Sequence, residues 1–297
     1  MCCWKPSCPT NEVSALSRAV AGPPNGAHRA PSILEKPSHQ PSERQIARAC
    51  SMLDSAAADL AVAQVWAHLQ QQLGSLPPHC AAAGLRHMVI YGLGSLEQPG
   101  AVHIRYQLAA AKLLAALLPL AAPAEAFDPV FTALDHAVLA HCSIKVIPQD
   151  ESGRRVAAAP TLFFMPHCEA ALTDALLAAN LAAGTLHNVV VLGNRFSGYQ
   201  SSWALRGRAQ QQQQRPAQRQ GQRAAGGHGG SPGSGGDGGS ERPATMLRLC
   251  DCGAVKELRV SECGFPVASA FNDLGLHWFP PDWQDRLRLA PAAVSSC

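Results

Sequence analysis

The chain has 297 residues, of which 47% are hydrophobic and 15% charged, and its formal net charge is +3. This length suits one large domain or two small ones, and the hydrophobic content is sufficient for a core. The small net charge argues against a nucleic-acid-binding protein. No apolar run reaches the roughly 18 residues that a membrane span requires. We therefore expect a soluble protein that has neither a nucleic acid nor a membrane as a partner.

The cysteines and the first residues bear on cellular location. Eleven cysteines, an odd number, are scattered along the chain, which favours reduced thiols over a disulfide framework. The N-terminus lacks the charged and apolar regions of a secretory signal. These features predict a cytoplasmic and/or nuclear protein. Residues 1–42 are rich in Ser, Pro and Ala and poor in acids, which leaves organellar targeting open.

The N-terminal part divides into an arm and a helix. Residues 1–41 contain repeated prolines and no apolar periodicity, so we predict a disordered arm. A Ser-x-x-Gln capping box at Ser42 and Gln45 then precedes apolar residues at helical spacing from Ile46 to Leu69. This pattern predicts one long amphipathic helix that ends at Gly74.

The most informative stretch runs from His87 to Ser95. Its apolar, β-branched residues predict a buried strand, Gly92 and Gly94 predict a tight turn, and a helix should follow from about Val102. Strand, glycine turn and helix form the opening of a βαβ unit, in which the turn can approach a phosphate. The third glycine of the dinucleotide fingerprint is missing, so a nucleotide-binding turn and a plain structural turn both remain open.

Short apolar runs predict four further strands. The first of these ends at residue 129, and the other three span residues 143–147, 161–165 and 188–192. Helices are predicted between them at residues 130–141 and 169–181. This alternation predicts an α/β fold, namely a Rossmann-like, mostly parallel sheet with helices on both faces.

The composition changes at residue 206, where a run with five consecutive glutamines leads into a Gly- and Ser-rich stretch. We predict that residues 206–243 form a flexible insert, because such a composition buries little apolar area. The single domain then comprises residues 42–205 and 244–280, followed by a tail at 281–297. The aromatic-rich residues 270–280 should pack on the core.

In an open α/β sheet, ligands bind beyond the carboxyl ends of the strands. Pro129 and Gly193 lie at this predicted rim. The candidate cofactor- or ligand-binding residues at the same rim are Gly92, Gly94, Ser95, Asp128, His167, Cys168 and Asn194. Asp128 either contacts a ribose hydroxyl, as the acid after the second Rossmann strand does, or caps the turn before Pro129. The identity of the cofactor stays unknown.

His167 and Cys168 suggest catalysis or metal binding, but they do not face each other on a strand. Cys168 as a nucleophile would need a histidine from elsewhere, for which His277 is the candidate. His167 is either a ligand-contacting or acid-base residue or a hydrogen-bonded structural imidazole. Cys250 and Cys252 with Cys263 lack zinc-site spacing, so we predict no metal. No P-loop, nucleophile elbow or kinase motif is present, and catalytic residues stay unknown. These patterns lean away from an enzyme.

Six blocks of residues occur in an order that resembles the Sensitivity-to-Red-light-Reduced (SRR-like) domain family. They run from Tyr91 to Ser95, Arg105 to Leu108, Phe127 to Phe131, Phe164 to Cys168, Leu192 to Phe196, and Ala270 to Asp273 with His277 to Phe279. The resemblance covers about residues 85–200 and 265–280. Arg195 is a departure, since a small residue such as serine is usual there.

The resemblance implies a regulatory protein, in circadian-clock or light-signalling input in plants or in regulation of haem biosynthesis in fungi and animals. It brings no settled catalytic activity. Its protein partners are unknown, and the rim would take a small-molecule or nucleotide ligand. The alternative is an unrecognised nucleotide- or cofactor-dependent enzyme with a Rossmann-like fold. No haem-attachment motif is present, so we expect no stoichiometric haem.

Overall fold

The computed structural model describes residues 40–206 and 242–289. The predicted disordered arm (except for residues 40 and 41), nearly all of the flexible insert and the last eight residues of the tail lie outside the described residues.

The first helices differ from the prediction. Helix α1 (Glu43–Ala61) begins with the predicted capping box, because Ser42 Oγ accepts from Gln45 N at 3.3 Å and Gln45 Oε1 accepts from Ser42 N at 2.8 Å. The prediction of a single long helix was wrong, because α1 ends at Ala61 and a second helix, α2 (Gln64–Gly74), follows it. Ala63 is extended between them, with φ −77° and ψ 148°. This residue interrupts the helical backbone without disturbing the apolar spacing.

Seven strands form one sheet in the order β3-β2-β1-β4-β5-β7-β6. Their bounds are His87–Tyr91 (β1), Glu125–Phe127 (β2), Lys145–Val146 (β3), Thr161–Met165 (β4), Val189–Asn194 (β5), Lys256–Arg259 (β6) and Leu274–Trp278 (β7). Strands β1 to β5 are parallel, whereas β7 runs antiparallel to both β5 and β6. The predicted mostly parallel, Rossmann-like α/β fold is therefore confirmed. Strands β6 and β7 were not predicted.

The remaining helices connect and cover the strands. They are α3 (Val102–Leu117), α4 (Ala133–His141), α5 (Ala170–Ala183), α6 (residues 196–206, as far as it is described), α7 (Ala244–Asp251), α8 (Ala268–Phe271) and α9 (Trp283–Leu289). Helix α4 begins three residues later than predicted, because Thr132 caps it. None of the helices within the described ranges is long and apolar enough to cross a membrane.

Alternate residues of the strands enter two apolar clusters, one on each face of the sheet. Ile90 of β1 packs with residues of α1, α2 and α3, whereas Val89 packs with residues of α5, α7 and α9. Both faces are therefore covered, as predicted. Leu276 and Phe279 are fully buried, so the aromatic-rich stretch packs on the core as expected. Trp283 of α9 is also buried, in the region that was predicted as a tail.

Candidate functional site

A cleft of about 510 Å³ opens at the carboxyl ends of the sheet, beside the neighbouring strands β1 and β4. After β1 the chain continues to β2 on one side, and after β4 to β5 on the other, so this is the switch point where α/β sheets bind ligands. Its lining residues are Gly92, Leu93, Gly94, Gln98, His103, Ile104, Gln107, Asp128, Val130, His167, Ser269 and Asn272. Four of the seven predicted ligand residues are among them.

The glycine turn after β1 has a conformation that favours glycine. The φ angles of Gly92 and Gly94 are +71° and +77°. A Cβ at Gly92 would collide with the sulfur of Cys168, and a Cβ at Gly94 would lie 3.0 Å from Cδ1 of Ile104. Both glycines are therefore required by the packing of the turn itself.

Two carboxylates fix the loop between β1 and α3. Asp128 Oδ2 accepts from Gly94 N at 2.8 Å, and its Oδ1 accepts from Val130 N at 3.0 Å. Asp135, which is buried in the first turn of α4, accepts from Leu96 N at 2.8 Å. The segment after β2 thus holds the loop at two backbone amides. Asp135 was not predicted, although the Thr-x-x-Asp capping box that begins at Thr132 marks it.

Ser95 lies next to the cleft in sequence but does not line it. Its side chain is buried, and its Oγ accepts from Glu97 N at 3.2 Å. The hydroxyl therefore shapes the loop, as the serine of an ST turn does.

Asn194, at the end of β5, holds the turn after β4 and also does not line the cleft. Its Oδ1 accepts from His167 N at 3.0 Å, and its Nδ2 donates to Cys168 O at 3.1 Å. Tyr199 Oη donates to the same carbonyl at 2.8 Å. These bonds support His167 in the left-handed region, with φ +54°, which is uncommon for a residue with a Cβ.

Cys168 is buried behind the turn. Its Sγ donates to Tyr91 O at 3.3 Å, and burial raises the pKa of the thiol to about 12. A thiol in this state is not a nucleophile near neutral pH. Its suggested partner His277 is engaged elsewhere: Nδ1 lies 3.1 Å from Val191 O, and Nε2 lies 3.1 Å from Glu257 Oε2. The structure therefore does not bring Cys168 and His277 together.

Two imidazoles, those of His103 and His167, line the cleft. Partial burial lowers the pKa of His167, and the nearby charge of His103 acts in the same direction, whereas the backbone at Ala270 and Ser269 opposes both. These effects together favour the neutral form of His167. His103 was not predicted, and neither were Gln98, Gln107, Ser269 and Asn272. His103 and Gln107 are four residues apart on α3, which places them on one face of the helix that follows the glycine turn.

The family model of the SRR1 domain matches residues 67–278. The chain belongs to the SRR1 domain family. The predicted resemblance is thereby confirmed. The match contains every lining residue of the cleft and all seven strands of the sheet, whereas α1 precedes it.

Curated relatives match parts of the SRR1 domain. The Protein SENSITIVITY TO RED LIGHT REDUCED 1 of Arabidopsis thaliana is 40% identical over 114 residues, which are 38% of this chain and 41% of that protein. An SRR1-like protein of Mus musculus is 32% identical over 134 residues, 44% of this chain and 53% of that protein. The matched segments thus span about half of these relatives or less. No solved structure matches the chain significantly.

Arg195 is the residue at which this SRR1 domain departs from the family pattern. Its Nε donates to Asp273 Oδ1 at 2.7 Å, so the side chain ties the end of β5 to the segment before β7. Within the described ranges, no three His, Cys, Asp or Glu side chains are grouped so that they could hold a metal ion.

Proposed function

We propose that this SRR1-domain protein is regulatory, in circadian-clock or light-signalling input or in control of haem biosynthesis, and that it acts through a ligand in the cleft. The observation that carries the regulatory role is the match to the Arabidopsis relative, whose name records a reduced sensitivity to red light. The ligand role is supported by the position of the cleft at the switch point of the sheet.

The state of the polar groups supports binding more than catalysis. Each oxygen of Asp128 already accepts a backbone amide, and Cys168 is a buried, neutral thiol. The carboxylate is thus committed to holding the loop, and a neutral thiol is a poor nucleophile. The groups that catalysis would use at strand ends instead hold the walls of the cleft.

The two imidazoles support the alternative, an enzyme that depends on a nucleotide or cofactor. His103 and His167 line one cleft, and histidine is the side chain that most often serves in acid-base catalysis. The two functions differ in one respect: an enzyme would turn over a ligand that binds in the cleft, whereas a regulator would only bind it.

The test is rescue of a strain that lacks the gene for this chain, with circadian period, red-light response and haem-precursor level as readouts. His103→Gln and His167→Gln should fold but fail to rescue. His187→Gln is the matched control, because His187 is exposed in a short 3-10 helix, Leu186–Asn188. This helix precedes β5 and so lies at the amino end of that strand, away from the cleft. Substitutions at Gly94 or Asp128 would disturb the loop itself and are less informative.

Full rescue by both histidine variants and by Gln107→Met, which alters a third lining residue, would show that the cleft is not the working site. Turnover of a bound ligand by the wild type, lost in His167→Gln, would favour the enzyme instead.

A further inference from the structure

The first turn of α3 offers unsatisfied donors to the cleft. Val102 N donates to Gly100 O at 2.7 Å and Arg105 N donates to Ala101 O at 3.0 Å, but His103 N and Ile104 N have no acceptor among the described residues. The turn contains no acidic side chain, and no side chain caps it. Both His103 and Ile104 line the cleft. Free amides at the positive end of a helix dipole favour an anionic oxygen.

Gln107 provides a separate indication of a ligand. The residue is only 2% exposed, and its Nε2 donates to Ala270 O at 3.1 Å. Within the described part of the chain, nothing donates to its Oε1. This oxygen is not sealed from solvent, and the cleft is the pocket that Gln107 lines. An oxygen that solvent reaches in the cleft is hydrated there, so an N–H or O–H of a ligand can take the place of that water.

Asp128 adds a charged acceptor at the end of β2. Its two oxygens each accept one backbone amide, which leaves each oxygen able to accept a second donor. A ligand should present hydroxyl groups here and keep its own negative charge away from the carboxylate, because like charges repel. Gly94, which donates to Asp128, packs against Ile104, so the acceptor and the α3 donors flank the same turn.

We infer that the cleft binds a ribonucleoside with an acidic tail, an inference that rests on the ligand role proposed above. The ribose hydroxyls donate to Asp128, the acidic group accepts from the amides of His103 and Ile104, and an N–H of the base or tail donates to Gln107 Oε1. The cleft volume of about 510 Å³ suits a ligand of this size. The tail is either the phosphate of a nucleotide or the free carboxylate of an amino acid that is joined to the nucleoside through its side chain, as in S-adenosylmethionine.

The experiment is calorimetric titration of the full chain with ATP, NAD, S-adenosylmethionine, adenosine and 2′-deoxy-ATP. At least one acid-tailed ribonucleoside should bind with one site per chain. Adenosine, which lacks the acidic group, should bind at least tenfold more weakly, as should the 2′-deoxy form of a nucleotide that binds. Binding of ATP or NAD alone identifies phosphate as the tail, and binding of S-adenosylmethionine alone identifies carboxylate.

The variant Gln107→Met keeps the size of the side chain but removes both Oε1 and the Nε2 that donates to Ala270 O. It should weaken binding at least tenfold, and an unchanged melting temperature shows that the loss does not come from unfolding. Gln72→Met, on α2, is the matched control and should bind as the wild type does. If no acid-tailed ribonucleoside binds, or if Gln107→Met and the control bind equally well, the inference is wrong.

The outcome separates this inference from the proposed function. If no nucleoside binds but the histidine variants still fail to rescue the null strain, the regulatory cleft stands and the ligand class is wrong. If nucleosides bind as expected but Gln107→Met rescues the null strain as well as Gln72→Met does, the ligand class stands and the proposed function is wrong.

Discussion

Replacing Asp135 with alanine tests whether the cleft loop is held by the helix behind it. Asp135 is only 3% exposed. Its Oδ1 accepts from Leu96 N at 2.8 Å, and its Oδ2 accepts from Thr132 N at 2.8 Å and from Thr132 Oγ1 at 3.0 Å. The substitution leaves the amides of Leu96 and Thr132 without an acceptor. Hydrogen bonds to a charged group contribute about 1.5–3 kcal/mol each.

We expect Asp135→Ala to lower the free energy of unfolding by about 3 kcal/mol, whereas Thr132→Ala, which removes only a capping hydroxyl, should cost about 1 kcal/mol. The difference of about 2 kcal/mol reflects the bonds from Leu96 N and Thr132 N, which Asp135→Ala removes and Thr132→Ala keeps. Urea unfolding of both variants, followed by circular dichroism, gives the two values. The side chains of Asp135 and Thr132 are hydrogen-bonded to each other, so their effects on stability are not additive. Unfolding of the double variant measures the contribution that the two side chains share.

Equal losses of stability in Asp135→Ala and Thr132→Ala would refute this reasoning. The bonds from Leu96 N and Thr132 N to Asp135 would then contribute nothing, and the loop would have to be held by Asp128 and its own packing.

Four further predictions concern other parts of the molecule. Burial raises the pKa of Glu257, but hydrogen bonds from His277 and Ser197 have the larger effect and lower the pKa from 4.5 to about 2. The Glu257 carboxylate therefore stabilises the fold above pH 4.5, and this stabilisation is lost as the pH falls towards 2. Melting temperatures measured across this range should therefore fall less steeply in Glu257→Gln than in the wild type. Purified protein should contain no stoichiometric haem, and a Soret band that titrates to one equivalent and is lost in His167→Ala would contradict this. Iodoacetamide at pH 8 should label exposed Cys263 within minutes and Cys168 only after denaturation, and peptide mapping that finds both labelled in the folded protein would show that Cys168 is accessible. Deleting residues 207–241 should leave the melting temperature nearly unchanged, because loop-closure entropy depends weakly on length, and unfolding of the deletion variant would show that this segment belongs to the fold.

The strands that could be predicted are those buried on both faces. In β1, β4 and β5, apolar residues follow one another without interruption, so the runs themselves mark the strands to within one or two residues. Strand β6, Lys256–Arg259, lies at the sheet edge and has no such run. For β7 the apolar residues predicted burial, but the antiparallel direction depends on pairing with β5, and local sequence carries no information about a distant partner.

The site could be predicted in outline. The rule that ligands bind at strand ends brought Gly92, Gly94, Asp128 and His167 to one cleft. It could not give the direction of each side chain. Cys168 follows β4 and Asn194 ends β5, yet the side chains of both bond to the protein's own backbone. Cys168 Sγ donates to Tyr91 O, and Asn194 holds the left-handed turn at His167.

The position of β7 has a consequence for synthesis of the chain. The side chain of His277 on β7 meets the carbonyl of Val191 on β5, 86 positions earlier. Until β7 leaves the ribosome, β5 has an unpaired, almost wholly apolar edge, and a parallel sheet of five strands is complete on its other side. Such an edge is a template for pairing with other chains. The SRR1 domain is thus most prone to aggregation during the interval in which the ribosome translates the residues between β5 and β7.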